Sequence, residues 1–162
     1  VLCSHVIKFH GAKNLYLITG TEGNDYAEER RAAYRRALEK NGIAYDDDKV
    51  GYGNFWEGPT NDIMMRWFDI EKRDVPDAII CANDTTAIAV SNFLQKRGYR
   101  VPEECIVTGF DGIEQAHIHF PPLSTCVPDY VEMARRIIEA LKNKKVKNQM
   151  LKSMFPVSLK VN

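Results

Sequence analysis

The sequence has no net charge, no long apolar run and no closely spaced cysteine pair. Its 22 Lys and Arg residues are balanced by 22 Asp and Glu residues, so it lacks the basic excess with which nucleic-acid and membrane-surface modules meet phosphate. No apolar run approaches the ~18–20 residues that span a bilayer, and no signal-peptide pattern opens the chain. These absences predict a domain that does not itself hold DNA and has no membrane partner.

The four cysteines, Cys3, Cys81, Cys105 and Cys126, are widely separated. None forms a Cys-x-x-Cys pair or stands at zinc-ligand spacing from a histidine. Since free cysteine behaves as a small apolar residue, we interpret them as buried thiols, although spacing alone leaves a disulfide open. Free thiols favour a reducing compartment, which predicts a cytoplasmic protein.

Catalytic and cofactor motifs are also missing. The segment 20–23 contains two glycines but lacks the Lys-Ser/Thr of a phosphate loop and the three-glycine dinucleotide fingerprint. No serine elbow or local nucleophile and base pair is present. His117 and His119 have no cysteine or carboxylate at a metal-ligand offset. We therefore expect no catalytic residue, no cofactor and no metal.

Apolar runs of strand length alternate with segments of helical spacing along the 162 residues. The predicted helices are 1–10, 26–41, 60–72, 84–97 and 129–143, and the predicted strands are 14–19, 49–52, 78–82, 105–109 and 154–161. Because strands and helices alternate and Ala78–Cys81 is continuously apolar, the pattern predicts an α/β fold: a doubly wound, mostly parallel sheet flanked by helices on both faces.

Polar and aromatic side chains follow the predicted strands. In open parallel sheets, ligands bind outside the carboxyl ends of the strands. The residues there are Asn24, Asp25, Tyr26 and Arg30 after the first strand, Asn54, Phe55 and Trp56 after the second, Asn83 and Asp84 after the third, and Asp111 after the fourth. Amides, carboxylates, a guanidinium and rings at one rim suit a polar, polyhydroxylated small molecule.

Each of these residues also has an ordinary structural interpretation. Asn83 or Asp84 can cap the helix that follows, and Asp111 can serve a turn. Arg30 lies in a charged run for which a solvated helix face is the default, and Phe55 can join Trp56 in a small satellite core. Convergence on one edge of the sheet is what favours binding.

Three longer motifs carry a family resemblance. They are Pro76-Asp-Ala-Ile-Ile-Cys-Ala-Asn-Asp-Thr-Thr-Ala-Ile-Ala89, Gly98-Tyr-Arg-Val-Pro-Glu-Glu-Cys-Ile-Val-Thr-Gly-Phe-Asp-Gly112 and Pro121-Pro-Leu-Ser-Thr125. In this order and spacing they resemble the effector-binding core of the lactose-repressor and purine-repressor family of bacterial transcription regulators. The similarity extends over nearly the whole chain.

The resemblance implies a periplasmic-binding-protein-like fold, in which two α/β lobes enclose a ligand cleft. A chain of 162 residues is too short for both lobes. The resemblance divides it into the C-terminal lobe at 1–127, a helix belonging to the first lobe at 128–148, and a terminal strand returning to the C-terminal lobe at 149–162. The first lobe and any DNA-binding headpiece are expected before Val1, which would explain the absent initial Met.

The resemblance also implies roles at matching positions. Arg30 matches an effector-contacting arginine, Phe55 a stacking aromatic, Asn83 a polar ligand contact, and Asp111 a carboxylate that accepts from ligand hydroxyl or amine groups. The other matches are the polar wall positions Asn24 and Tyr26 and the hinge aromatic Tyr130.

Three positions depart from the family pattern and leave the ligand's identity open. Pro128 stands where many members have a ligand-contacting Gln, and Ala33 replaces a common Gly. Gly112 follows Asp111 where repressors more often carry a second Asp, a feature shared with periplasmic sugar-binding proteins.

By resemblance, the chain is expected to be the ligand-sensing part of a transcription regulator. A small polar effector, a sugar or related metabolite, would bind between the lobes and control a DNA-binding or other output domain absent from this chain. A homodimer is also expected, with an apolar patch assembled from Met64, Trp67, Phe68, Ile118 and Phe120, although core packing is favoured for the first three.

Two alternatives remain. An extracytoplasmic sugar-binding protein of a transporter is supported by Gly112 and opposed by the four cysteines, whereas an enzyme rests on fold-level analogy alone. Since half of the cleft would be missing, we expect this chain alone to bind ligand weakly or undetectably.

Overall fold

The computed structural model describes residues 1–142 and 156–161. Within them the strands form one sheet in the order β2-β1-β3-β4-β5-β6. The strands are β1 Leu15–Thr19, β2 Val50–Tyr52, β3 Ala78–Cys81, β4 Ile106–Phe110, β5 Ser124–Pro128 and β6 Val157–Lys160. β1 to β5 are parallel, and β6 runs antiparallel to β5. The predicted mostly parallel sheet is confirmed.

The first helix precedes the first strand, and each of the other helices lies between two strands that are consecutive in the chain. The helices are α1 Leu2–His10, α2 Asp25–Lys40, α3 Glu57–Met64, α4 Asp84–Lys96, α5 Glu114–Ile118 and α6 Tyr130–Lys142. A 3₁₀ turn, Asp47–Lys49, precedes β2, and a π-helical segment, Met65–Ile70, continues α3. α1 ends at Gly11, which has φ +70°, a left-handed conformation that glycine adopts without steric cost.

Helices cover both faces of the sheet, as the doubly wound prediction requires. Side chains alternate along a strand, so one strand supplies two cores. Leu15 and Leu17 pack with α1 and α2, whereas Tyr16 and Ile18 pack with α3, the π-helical segment and α4. Burial on both faces explains why β1 and β3 consist almost entirely of apolar residues.

The proposed apolar patch divides into core and surface. Met64, Trp67 and Phe68 are buried, and the Trp67 ring meets the Tyr16 ring edge-on at 5.0 Å between centroids. Core packing, the favoured interpretation for these three residues, is confirmed. Ile118 and Phe120 are 75% and 86% exposed and are the patch residues that remain available for a partner.

The predicted element boundaries differ from the structure in three places. The helix predicted at 60–72 begins at Glu57 and changes to π-helical geometry at Met65. The sequence prediction missed α5 and also β5, since prolines at both ends make β5 look like a loop. The predicted helix 129–143 and strand 154–161 are observed as α6 and β6, and residues 143, 154 and 155 lie outside the described residues.

All four cysteines are free and buried, which confirms their interpretation as buried thiols. Burial raises the pKa of Cys3 to about 11 and that of Cys105 to about 12, so both remain protonated near neutral pH. In the described part of the chain, no helix is both long and apolar enough to cross a membrane.

Candidate functional site

Arg30 lies at the centre of the carboxyl edge of the sheet. It projects from the second turn of α2, and its Nε and Nη1 groups donate to the carbonyls of Ala82 at 3.2 Å and Tyr26 at 3.1 Å. Its Cζ lies 5.7 Å from the ring centroid of Phe55 and 5.0 Å from that of Phe110. These two bonds use two of the five guanidinium N–H donors, so donors remain for a bound molecule.

The loop after β2 brings Phe55 to Arg30. Asn54 and Phe55 have φ angles of 52° and 63°, a left-handed conformation that costs about 1–3 kcal/mol in a non-glycine residue. The Phe55 ring lies against Gly20, where an added Cβ would come within 2.0 Å of a ring carbon. The ring therefore needs glycine at the end of β1 to lie where it does.

Asn83 serves two neighbouring loops. Its Oδ1 accepts from the Thr86 N–H at 2.9 Å and caps α4, while its Nδ2 donates to the Phe55 carbonyl at 3.1 Å. The cap that the sequence suggested is therefore present, and the same amide holds the strained loop. Asn24 similarly accepts from N–H groups in the first turn of α2.

Asp111 contributes a carboxylate at the same edge. Its N–H donates to the Cys126 carbonyl at 2.9 Å, and its backbone is left-handed with φ 109°. Partial burial raises the pKa of Asp111, nearby Asp84 raises it further, and Arg30 opposes the shift. Arg30 lies over the ring of Phe110, the residue before Asp111, so the guanidinium and the carboxylate belong to the same edge of the sheet.

Tyr130 connects α6 to this site. Its hydroxyl donates to the Asp111 carbonyl at 2.9 Å. Partial burial raises the pKa of Tyr130, and the carboxylates of Asp111 and Asp84 raise it further. The predicted hinge aromatic therefore contacts the backbone of a predicted ligand residue.

Asp84 is a buried carboxylate that holds together the elements around the site. It is 1% exposed, and its carboxylate accepts from the Thr125 hydroxyl at 2.6 Å and the Ile113 N–H at 2.8 Å. An added Cβ at Gly109 would come within 2.1 Å of Asp84 Oδ1. Asp84 thus joins α4, β5 and the loop after β4, whereas sequence reasoning placed it at the ligand rim or as a cap and did not find this role.

The predicted residues meet in two sets: contacts link Asn24, Tyr26, Arg30, Phe55 and Asn83, and a hydrogen bond links Tyr130 to Asp111. Arg30 and Phe55 are in contact, and Phe110, which sequence reasoning missed, completes their stack. The sequence signal for Phe110 was its position directly before the predicted ligand residue Asp111. Its place at the end of an apolar strand instead favoured a role in the core. Asn24 and Tyr26 lie on the outer side, Tyr26 being 67% exposed and contributing its carbonyl to Arg30.

Comparison with known families agrees with this fold. The periplasmic binding protein-like domain family matches residues 6–153. Over 97 residues the chain is 40% identical to the HTH-type transcriptional repressor PurR of Vibrio atlanticus, covering 60% of this chain and 28% of that protein. Over 132 residues it is 29% identical to the ribose operon repressor of Haemophilus influenzae, covering 81% and 39%.

Solved structures show the same architecture. The Escherichia coli transcriptional repressor ascG superposes with a TM-score of 0.84 and 25% identity, covering 99% of this chain and 58% of that one. The transcriptional regulator CelR in complex with cellobiose superposes with a TM-score of 0.83 and 26% identity, covering 98% and 48%.

The sheet, its two helical layers and the residues at its carboxyl edge define one lobe of a periplasmic-binding-protein-like fold. The chain belongs to the periplasmic binding protein-like domain family, and its relatives within it are transcriptional repressors of the purine-repressor and ribose-repressor type. It spans 28% and 39% of the two repressors compared above.

Proposed function

We propose that this chain is the effector-binding part of a bacterial transcription regulator of the lactose-repressor type. The proposal is based on the contacts of Arg30, which we call the Arg30 clamp. A half-buried guanidinium is held between Phe55 and Phe110 beside the Asp111 carboxylate, with N–H donors left unused. A half-buried cation, an anion and aromatic faces at one sheet edge are the groups that recognise a small polar molecule.

The proposed ligand is a sugar or a related polar metabolite. Asp111 would accept from ligand hydroxyl groups, the free N–H groups of Arg30 would donate to ligand oxygens, and Phe55 would cover an apolar sugar face. A relative is named as a ribose operon repressor, and a similar structure is a complex with cellobiose. Asn83, Asn24 and Tyr26 would complete the polar wall.

The proposed cleft needs a second lobe. We assign 1–127 to the C-terminal lobe, 128–148 to a helix of the first lobe and 149–162 to a returning strand. α6 supports this division because none of its residues is buried. Its exposed apolar side chains are Val131, Ile137, Ile138 and Leu141. These side chains would pack on the part of the protein that lies outside this chain.

Ligand binding would then act through a hinge. A ligand that bridges two lobes favours the closed state by its differential affinity for that state. The hydrogen bond from the Tyr130 hydroxyl to the Asp111 carbonyl joins the ligand-binding edge to the start of α6. A displacement of Asp111 on ligand binding would therefore move the start of α6, where the hinge is proposed. A separate output domain would read the lobe closure.

The remaining partners follow from this role. DNA would be contacted by a domain outside the chain, in the cytoplasm. A homodimer would form through the exposed side chains of Ile118 and Phe120. An extracytoplasmic sugar-binding protein would share the fold, but the relatives described above are repressors.

A thermal-shift screen tests the proposal. Monosaccharides, disaccharides, nucleobases and amino acids are added to the gene product containing both lobes and, in parallel, to the 162-residue chain. A sugar is expected to raise the melting temperature of the longer protein, because ligands stabilise the state they bind. The melting temperature of the shorter chain should not change. Tight binding by the 162-residue chain in calorimetry would contradict the divided cleft. No shift with any class would contradict the sensor role.

A further inference from the structure

Two histidines on α1 face each other at a distance suited to a metal ion. The Nε2 atoms of His5 and His10 are 3.4 Å apart. The ring centroids are 5.2 Å apart and the ring planes are inclined by 69°. Because the nitrogens are closer together than the centroids, both rings turn their Nε2 edges inward.

This spacing matches metal coordination. Two nitrogens that each lie ~2.0–2.1 Å from a tetrahedral Zn²⁺ ion stand roughly 3.3–3.4 Å apart. Neutral imidazole is a preferred ligand of Zn²⁺, Cu²⁺ and Ni²⁺. We propose that His5 and His10 form a surface site for a divalent transition metal, with Zn²⁺ as its probe.

The electrostatic surroundings favour a cation. Both histidines line a polar cavity of about 490 Å³, away from the carboxyl edge, together with the carboxylates of Asp77, Glu103 and Glu104. The C-terminal end of a helix also carries partial negative charge, and His10 is the last residue of α1.

The carboxylates differ in their availability. Asp77 accepts from two backbone N–H groups, and Glu104 pairs with Arg100. Glu103 lines the same cavity and has neither a hydrogen bond nor an ion pair within the described residues. No preformed cluster of three or more His, Cys, Asp or Glu side chains is found among those residues. The proposed site is therefore a two-histidine site, and water would fill its other coordination positions.

Another histidine lacks this freedom. His119 has both ring nitrogens engaged, Nδ1 with the Pro121 carbonyl at 2.8 Å and Nε2 with Asn92 Oδ1 at 3.1 Å. Metal binding there would break existing hydrogen bonds, whereas at His5 and His10 it would replace one long contact between the two ligands themselves.

The site is tested by titrating Zn²⁺ into the 162-residue chain by calorimetry near neutral pH. One equivalent is expected to bind. His5→Gln and His10→Gln are each expected to weaken binding about a hundredfold, because a second ligand on a rigid scaffold raises avidity by ~10²–10⁴. Lys8→Gln, an exposed neighbour on α1, is the matched control and should bind as the parent does.

Two further measurements distinguish a metal site from a simple histidine contact. Ni²⁺, which also prefers imidazole ligands, should compete with Zn²⁺, and Mg²⁺, which prefers oxygen ligands, should not compete. Circular dichroism establishes that each variant is folded. Unchanged Zn²⁺ affinity in the His5→Gln/His10→Gln double variant, or no binding by the parent, would overturn the proposal and leave the pair as a histidine contact only. Either result would leave the proposed effector site at the carboxyl edge of the sheet unaffected.

Discussion

Arg30 has a permanent positive charge and a planar guanidinium group, and its contacts depend on both properties. Its guanidinium fills the space between the Phe55 and Phe110 rings while it donates to two carbonyls. A lysine ammonium is a compact charge that neither stacks nor donates as a fork. The default expectation of a solvated helix face therefore does not hold at this position.

Arg30→Lys should weaken effector binding while the fold is kept. The expected loss is about 10–100-fold, because a hydrogen bond to a charged group contributes about 1.5–3 kcal/mol. The measurement is calorimetry on the protein with both lobes, using the sugar that gives the largest thermal shift. Arg35→Lys, on the exposed side of α2, is the control. Equal affinities for parent and Arg30→Lys would contradict the clamp.

Asp111 destabilises the unliganded fold when it is ionised. Its pKa is raised by burial and by Asp84, so the folded state binds the proton more tightly than the unfolded chain does. This contribution to stability is present below the unfolded pKa, ~3.9 for Asp, and is lost as pH rises through the higher folded pKa.

Asp111→Asn is therefore expected to raise the free energy of unfolding near neutral pH by up to about 1 kcal/mol after solvent screening. The gain should disappear in acid, where both states of the parent are protonated. Urea denaturation at the two pH values measures it. Asp69→Asn gives a control of opposite sign, because Arg97 lowers the pKa of Asp69 and the variant should lose stability near neutral pH. A destabilised Asp111→Asn protein at neutral pH would refute the prediction.

At the scale of elements, α4 and β4 are held by a close approach of backbone to carboxylate. Gly109 lies where a Cβ would come within 2.1 Å of Asp84 Oδ1 and 3.1 Å of its Cα. Because Asp84 also bonds Thr125 and the Ile113 N–H, displacing it disturbs three elements together. The buried carboxylate thus positions the loop that carries Asp111.

Gly109→Ala should lower the free energy of unfolding by about 1–3 kcal/mol, the range for overpacking a well-filled interior. Gly58→Ala is the matched control, since no atom lies within 4 Å of its added Cβ. In α3 the gain of about 0.5–1 kcal/mol from replacing glycine is opposed by the crowding that a Cβ meets before Pro59, so stability should change little. Chemical denaturation measures both, and equal stabilities would show that β4 and α4 can separate freely.

The element predictions succeeded where packing is local and regular. Continuous apolar residues identified β1 and β3, and helical spacing ending at glycine identified α1, α2 and α4. β5 was missed because its short segment has no strong strand pattern, and pairing with β4 and β6 makes it a strand. Similarly, α3 changes to π-helical geometry at Met65 without a Gly or Pro to mark the change.

At the scale of the whole molecule, the exposed apolar side chains of Phe120 and Ile118 are the proposed contacts of a homodimer. In the protein with both lobes, Phe120→Glu is expected to convert a dimer to a monomer, because a buried, unpaired carboxylate opposes association. Sedimentation velocity measures the change. Phe9→Glu, at a 78% exposed position, is the control and should remain dimeric. A strictly monomeric parent would contradict the proposed dimer.

The sequence by itself determined the alternation of strands and helices, the two-sided burial of the sheet, the four buried thiols and the edge at which the candidate site lies. These follow from side-chain periodicity and from the rule that parallel strands end at one edge. It also contained the family motifs.

Only the tertiary structure decided how the predicted residues meet. The stack of Phe110 on Arg30, the ring of Phe55 on Gly20 and the buried Asp84 depend on contacts between residues far apart in the chain. The strands of a parallel sheet are placed side by side by long-range pairing, and hydrogen bonds between loops exist only after that pairing has formed. The strand pattern therefore predicted the edge at which the candidate residues lie, whereas the contacts among those residues depend on the folded arrangement.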